Sequence, residues 1–345
     1  MNKKIDIRSL SLLQIQEELK KIGEPIFRAK QIYSWLWQKS ITEFDNMTNL
    51  SKSLRTHLEQ YFEIFPIQTY KVQTSIDGTI KSVFSLHDKH LIEGVMIPTD
   101  DRATACVSSQ VGCSLTCKFC ATGYMKRERN LSAAEIYDQV VLLNQQAINN
   151  VGRGLTNIVY MGMGEPLLNY ANVLQSIHHV TDVSGLNWSP KRITVSTAGI
   201  AKMIKKLADD EVKFNLALSL HAADDEKRNT IMPINEQNNI EALVEALLYF
   251  YEKTKNQITF EYILLKGVND SLLDAKNLLA LSKRVPAKVN IIEYNAIDNA
   301  NYVKSTSDNR DAFVHYLEKN KVIANVRRSR GKDIDAACGQ LANKG

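Results

Sequence analysis

From about residue 103 to its end the chain repeats a short β-rich run followed by a helical stretch, and few folds accept that rhythm. Strands are expected over residues 103–107, 157–161, 193–197, 214–220, 258–264, 289–294 and 323–327. Helical stretches such as 132–146 and 240–253 lie between them. Such alternation implies parallel strands joined by right-handed crossovers. About six strand–helix units are too few to close an eightfold barrel, so the expected class is α/β, a partial (β/α)6 barrel. Reactive groups in that architecture collect on loops at the C-terminal ends of the strands.

The segment before the barrel obeys other periods. Ser11 and Gln14 form a capping box for a helix that Gly23 stops near Ile22. Pro25 suits the first turn of a second helix, and a third is expected over 51–62. From Phe65 the period drops to two. Asp77-Gly78 marks a hairpin, and 91–97 reads as a further strand. The expected division is a helical accessory domain (1–64), a β-rich extension (65–98), the barrel (99–300) and a C-terminal segment (301–345). Lys20, Lys21, Arg28, Lys30 and Lys39 dot the helical module, where scattered charge reads as a solvated face or as a nucleic-acid surface.

Composition sets limits. The 345 residues carry 43 Lys+Arg against 38 Asp+Glu, a formal +5 that permits an anionic partner without demanding one. No apolar run reaches the roughly 18 residues of a membrane span, and no apolar stretch backs the basic N-terminus, so a cytoplasmic location is expected. Five cysteines, three of them within eight residues, make no disulfide framework and suit a metal or redox use.

Those three are Cys113, Cys117 and Cys120, in a loop just after the first barrel strand. Structural zinc needs four closed ligands, and His87, His90 and Cys106 are poorly placed to supply a fourth. A [4Fe–4S] cluster on three thiolates leaves one iron open to another ligand, and spacing and placement favour it over zinc. This pattern, with Phe119 between the last two cysteines, resembles the radical S-adenosylmethionine (SAM) superfamily. The resemblance implies that SAM binds the open iron and is cleaved to a 5′-deoxyadenosyl radical.

Further motifs narrow the match. Met161-Gly162-Met163-Gly164-Glu165-Pro166 follows the second strand, its glycines read as room for a ligand against the backbone and Glu165 as a ligand for an ammonium. Two serines, Ser196 and Ser219, stand at the ends of the next strands, and Leu220-His221 and Asn295 stand at the same rim. The tail Val326-Arg327-Arg328-Ser329-Arg330-Gly331-Lys332-Asp333-Ile334-Asp335-Ala336-Ala337-Cys338-Gly339-Gln340-Leu341 resembles the C-terminal signature of radical SAM RNA adenine methyltransferases. The likeness spans essentially the whole chain and is closest to the adenine-C2 branch, the RlmN family. A sister branch, Cfr, methylates C8 of the same rRNA adenosine.

The resemblance implies methylation at C2 of adenosine 2503 in 23S rRNA and of adenosine 37 in tRNAs, with two SAM molecules consumed per methyl group. Cys338 would carry the methyl as S-methylcysteine and join the RNA covalently. Cys106 would resolve that adduct by forming a disulfide with Cys338. Glu93 occupies the position of the family's proton acceptor. Gly164, Glu165, Ser196, Ser219, Leu220, His221 and Asn295 would contact SAM, and an electron donor such as flavodoxin with its reductase would feed the cluster. A non-catalytic RNA-binding metalloprotein is the competing reading. Basic blocks at Lys118, Lys126, Arg127 and Arg129, and at Arg327, Arg328, Arg330 and Lys332, suit a flipped or loop nucleotide, though a solvated surface has the same composition.

Overall fold

The computed structural model describes residues 4–343. Its centre is one ten-stranded sheet whose strands lie side by side in chain order. They are β1 (Gln68–Thr74), β2 (Ile80–Ser85), β3 (Leu91–Pro98), β4 (Ala103–Cys106), β5 (Asn157–Tyr160), β6 (Ile193–Thr197), β7 (Asn215–Ser219), β8 (Ile258–Leu264), β9 (Ala287–Glu293) and β10 (Ala324–Arg327). β1 to β4 pair antiparallel. From β4 to β10 every pairing is parallel. The α/β partial barrel read from the sequence is therefore the fold, with the hairpin and β3 continuing its sheet at one edge. The other edge runs past residue 300, where the barrel was expected to end. A helix at Ser307–Lys319 and then β10 complete the last crossover.

Local chemistry explains why the elements form where they do. Helix α1 (Leu12–Lys21) starts at Ser11 with the reciprocal Gln14 capping box. Helices α2 (Phe27–Trp37) and α3 (Lys52–Tyr61) follow, and Ser51 caps the latter. Each such cap is worth about 1 kcal/mol. Helix α4 (Ala133–Val151) carries a second capping box, Ser132 with Glu135, and ends on left-handed Gly152. Every residue of β8 is buried, as a central parallel strand covered on both faces requires.

The helical module is anchored to the barrel by buried polar contacts as well as by apolar packing. Arg8 forks between Asp6 and Asp138 of α4 and also donates to the Phe65 carbonyl. His179 stacks on Trp37 at 3.5 Å and bonds the Tyr33 hydroxyl. Lys20, Lys21, Lys30 and Lys39 are exposed, Lys39 lying 3.6 Å over the Trp35 ring. Among the described residues no helix is long and apolar enough to cross a membrane.

Candidate active site

A cavity of about 260 Å³ opens at the C-terminal ends of the parallel strands, and all five cysteines line it. Cys106 ends β4. The stretch between it and α4, residues 107–132, is a loop pinched by a short antiparallel pairing of Gln110–Val111 with Arg129–Asn130, and that loop presents Cys113, Cys117 and Cys120. The tail beyond β10 brings Cys338 to the same wall.

The three loop thiols suit a cluster. Phe119, Ile231, Met232, Ile263 and Ile292 form an apolar cluster against which Cys117 and Cys120 pack. Leu115 N–H donates to Cys113 Sγ at 3.4 Å, and the Thr122 and Gly123 N–H groups point at Cys120 Sγ. Backbone donors to sulfur in an apolar shell tune iron–sulfur centres. Burial pushes the Cys113 thiol up to about 12 and raises Cys117 and Cys120 as well, so loading a cluster must displace three protons. Neither histidine of the zinc alternative belongs to this wall. His87 stacks on Phe65 and faces Glu135, and His90 pairs with Asp88. Among the described residues no set of His, Cys, Asp and Glu side chains is arranged around a single ion.

Beside the thiols stands a polar shelf. Glu165 is buried and spends both oxygens on backbone, accepting from Leu167 N–H at 3.0 Å and Ala198 N–H at 2.8 Å. Burial still raises its carboxyl to about 7. The two serine hydroxyls, of Ser196 and Ser219, lie 3.4 Å apart on adjacent strands. His221 is held in the left-handed region at φ 58°. Its Nδ1 accepts from Ile263 N–H at 3.1 Å, which leaves Nε2–H as the ring's donor, and burial lowers its pKa to about 3. The ring meets Phe119 edge to face at 4.5 Å.

Several residues are placed differently from expectation. Gly162 and Gly164 line the cavity and in addition make room for protein: a Cβ on Gly162 would meet Ser108 Oγ at 2.7 Å, and one on Gly164 (φ 96°) would meet Gln110 Cβ at 2.5 Å. They let the segment leaving β4 cross close behind the Glu165 loop. Leu220 and Asn295 are buried beside the cavity and do not line it. Asn295 turns its amide to the Cys338 carbonyl at 3.2 Å. Glu93 is wholly buried behind the wall, 3.5 Å from Lys81, and accepts from Ala342 N–H at 2.9 Å. Arg129 is occupied by Asp88 and Glu135, and Lys332 by Glu293. Lys118, Arg127, Arg328 and Arg330 stay exposed, the last two lining the mouth.

Cys106 and Cys338 form a second thiol group. Burial pushes Cys106 up to about 12, with the nearby Cys338 adding to the shift. Cys338 lines the cavity and is solvent-exposed, and its loop is held from several sides. Ser75 and Ile76 of the β1–β2 turn donate to Asp333, while Gly331 N–H donates to Asp77. From the cluster loop, Ala121 N–H reaches the Gly339 carbonyl and the Thr122 hydroxyl reaches that of Leu341. All five cysteines are free, so the disulfide expected between Cys106 and Cys338 is not a bond of this structure.

Two residues at the site have no counterpart among the sequence-derived candidates. Arg228 is fully buried and donates to the carbonyls of Ala198, Ser219 and Leu220 and to Asn235. Glu261 of β8 faces the cavity from within a continuous apolar run.

A partial barrel with a three-cysteine loop at its C-terminal rim defines a radical SAM enzyme. Residues 107–279 match the radical SAM superfamily, and residues 5–64 match the N-terminal domain of ribosomal RNA large-subunit methyltransferases. A radical SAM methyltransferase from Sphaerobacter thermophilus superposes with a TM-score of 0.91 at 39% identity, covering 98% of this chain and 99% of that one. The chain is 59% identical to the probable dual-specificity RNA methyltransferase RlmN of Cytophaga hutchinsonii, over 99% of this chain and 94% of that protein. It is 42% identical to the RlmN enzyme of Geotalea uraniireducens over 99% and 97%. The chain belongs to the RlmN family of dual-specificity RNA methyltransferases, whose cofactors are a [4Fe–4S] cluster and SAM.

One consequence concerns Glu165. Its folded-state pKa is about 7 against an ordinary 4.5, so the folded protein holds a proton that the unfolded chain releases first. The cofactor-free protein should therefore lose stability as pH rises from about 5 to about 7. Glu165→Gln should flatten that part of the profile, as urea unfolding at several pH values would show. An unaltered slope would place the proton elsewhere.

Proposed function

We propose that the chain methylates C2 of adenosine 2503 in 23S rRNA and of adenosine 37 in tRNAs, working in the cytosol with electrons from a flavodoxin-type donor. The observation that carries this reading is the gathering of all five cysteines on one cavity, three from one loop and two from elsewhere in the chain. Adenine C2 lies between two ring nitrogens and is too electron-poor for ordinary methyl transfer. Reductive cleavage of SAM at the cluster supplies a 5′-deoxyadenosyl radical, which removes that restriction.

The chain's own residues do the rest. Cys113, Cys117 and Cys120 hold the cluster. Glu165, the two hydroxyls of Ser196 and Ser219, and His221 line the space for SAM, with Leu220 and Asn295 supporting it from behind. Cys338 accepts a methyl group on sulfur, gives up one of its hydrogens, and bonds to C2 through the remaining methylene. Glu93 takes the C2 proton, which requires its contact with Ala342 to open, and the unpaired electron left on the adduct passes back to the redox donor chain. Cys106 then attacks Cys338 Sγ. The S–C bond breaks, a transient disulfide forms, and the released methylene takes up a proton to leave as the methyl group of the base. Arg328 and Arg330 at the mouth contact phosphate of a nucleotide flipped from its stack.

Mass spectrometry of rRNA and tRNA nucleosides tests the reading in a strain lacking its own enzyme and supplied with this gene. 2-Methyladenosine should appear in both RNAs, at sites empty in the parent strain. Methylation found only at C8 would assign the chain to the sister chemistry.

A further inference from the structure

Four carboxylates stand at or just behind the cavity, and of these Glu261 alone both lines it and keeps an oxygen without a hydrogen-bond partner. Glu165 holds two backbone N–H groups. Glu293 is surrounded by Lys304, Arg310 and Lys332. Glu93 lies off the cavity, behind its wall, where Oε2 accepts from Ala342 N–H and Oε1, 3.5 Å from Lys81, has no hydrogen-bond partner. Glu261 differs. It is 4% exposed and lines the cavity, its Oε1 accepts from Asn290 Nδ2 at 2.8 Å, and its Oε2 is enclosed without a hydrogen-bond partner. Leaving a buried acceptor idle costs about 1–3 kcal/mol, and a carboxylate more. Within Ile-Thr-Phe-Glu-Tyr-Ile-Leu, packing alone would be served by another apolar side chain.

The group that needs such an oxygen lies on the same cavity. Cys338 lines it together with Glu261. An ordinary thiol, with a pKa of about 8.5, is mostly protonated at neutral pH, whereas methyl acceptance from a sulfonium needs the thiolate. Arg327 lies 3.5 Å from Glu261 Oε1. Burial raises the Glu261 carboxyl, making it a stronger proton acceptor than an exposed one.

We infer that Glu261 is the general base for the methyl-loading half-reaction, taking the Cys338 thiol proton on Oε2 as the methyl group arrives. This rests on the reading of Cys338 as the methyl carrier. The C–S⁺ bond of SAM breaks and the Cys338 S–C bond forms. The proton passes to Glu261, S-adenosylhomocysteine leaves, and no external oxidant or reductant is consumed. Once Cys338 is methylated it has no proton to give, so Glu261 acts in loading alone.

The test uses full-length protein reconstituted with its cluster and given SAM labelled in the methyl group, without reductant. Label at Cys338 is followed in time by peptide mass spectrometry. Glu261→Gln should slow labelling by about 100-fold or more, the usual contribution of a general base. Glu261→Ala should be slow as well, and acetate should restore it where acetamide of the same shape does not. That contrast separates a base from a space-filling side chain, and it stands even if the glutamine variant holds its cluster poorly. Wild-type labelling rates in Glu261→Gln, or equal rescue by acetamide, would overturn the assignment of Glu261. Absence of label at Cys338 in the unaltered protein would instead refute the methyl-carrier reading beneath it.

Discussion

Cys106→Ala should leave the protein fastened to its RNA. Cys338 would still accept a methyl group and still join the base, because neither step uses the β4 thiol. The second thiol on the same wall, needed to break the S–C bond, would be missing. The expected product is a Cys338 peptide carrying a nuclease-resistant nucleotide, with no methylated base released. Cys338→Ala should give neither adduct nor product. The pair of outcomes is informative because both cysteines line one cavity. An undiminished yield of methylated adenosine from either variant would remove the two-thiol mechanism. The adduct also separates catalysis from simple RNA binding, since a structural metalloprotein would not form it.

The sequence disclosed most of this architecture for local reasons. Capping boxes at Ser11 and Ser132, the Asp77-Gly78 turn and the three-cysteine loop are short-range patterns whose chemistry is complete within a few residues. The strand–helix rhythm located every parallel strand because short runs rich in aliphatic and β-branched residues recur between helical stretches. Long-range pairings were out of reach. Nothing near Glu93 announces that Lys81 and Ala342 will enclose it, and nothing near Asn295 shows that its amide will seat Cys338. The glycines at 162 and 164 gave a correct signal of close approach but not its partner, which is the chain leaving β4. Glu261 did leave a trace. A lone carboxylate inside a run of β-branched and aromatic residues is rare unless the site has a use for it. Arg228 left none, because Asp224-Asp225-Glu226-Lys227-Arg228-Asn229 reads as any exposed polar turn of helix.

That concealed arginine carries the largest expected loss of stability. Arg228 extends from the helix Asp225–Ile231 into the protein, where burial lowers its pKa to about 10 while Cys117 and Asp225 favour its charge. It remains a cation at neutral pH. Its guanidinium donates to Ala198 O at 2.6 Å, Ser219 O at 3.1 Å, Leu220 O at 3.0 Å and Asn235 Oδ1 at 2.6 Å. Those carbonyls end the strands that carry the two serine hydroxyls and His221, so one side chain ties together the rim on which SAM would rest. Arg228→Leu would strand at least two buried acceptors and leave space around a shorter side chain. The cost should be about 3–5 kcal/mol, a melting temperature lower by roughly 4–7 °C for a chain of this size. Arg228→Lys should recover part of it, since an ammonium keeps the charge but reaches fewer carbonyls. Arg284→Leu, which loses only an exposed pairing with Glu241, should melt with the unaltered protein. Calorimetry of the three variants settles the comparison. If Arg228→Leu melted with Arg284→Leu, the buried guanidinium would not be what holds the rim together.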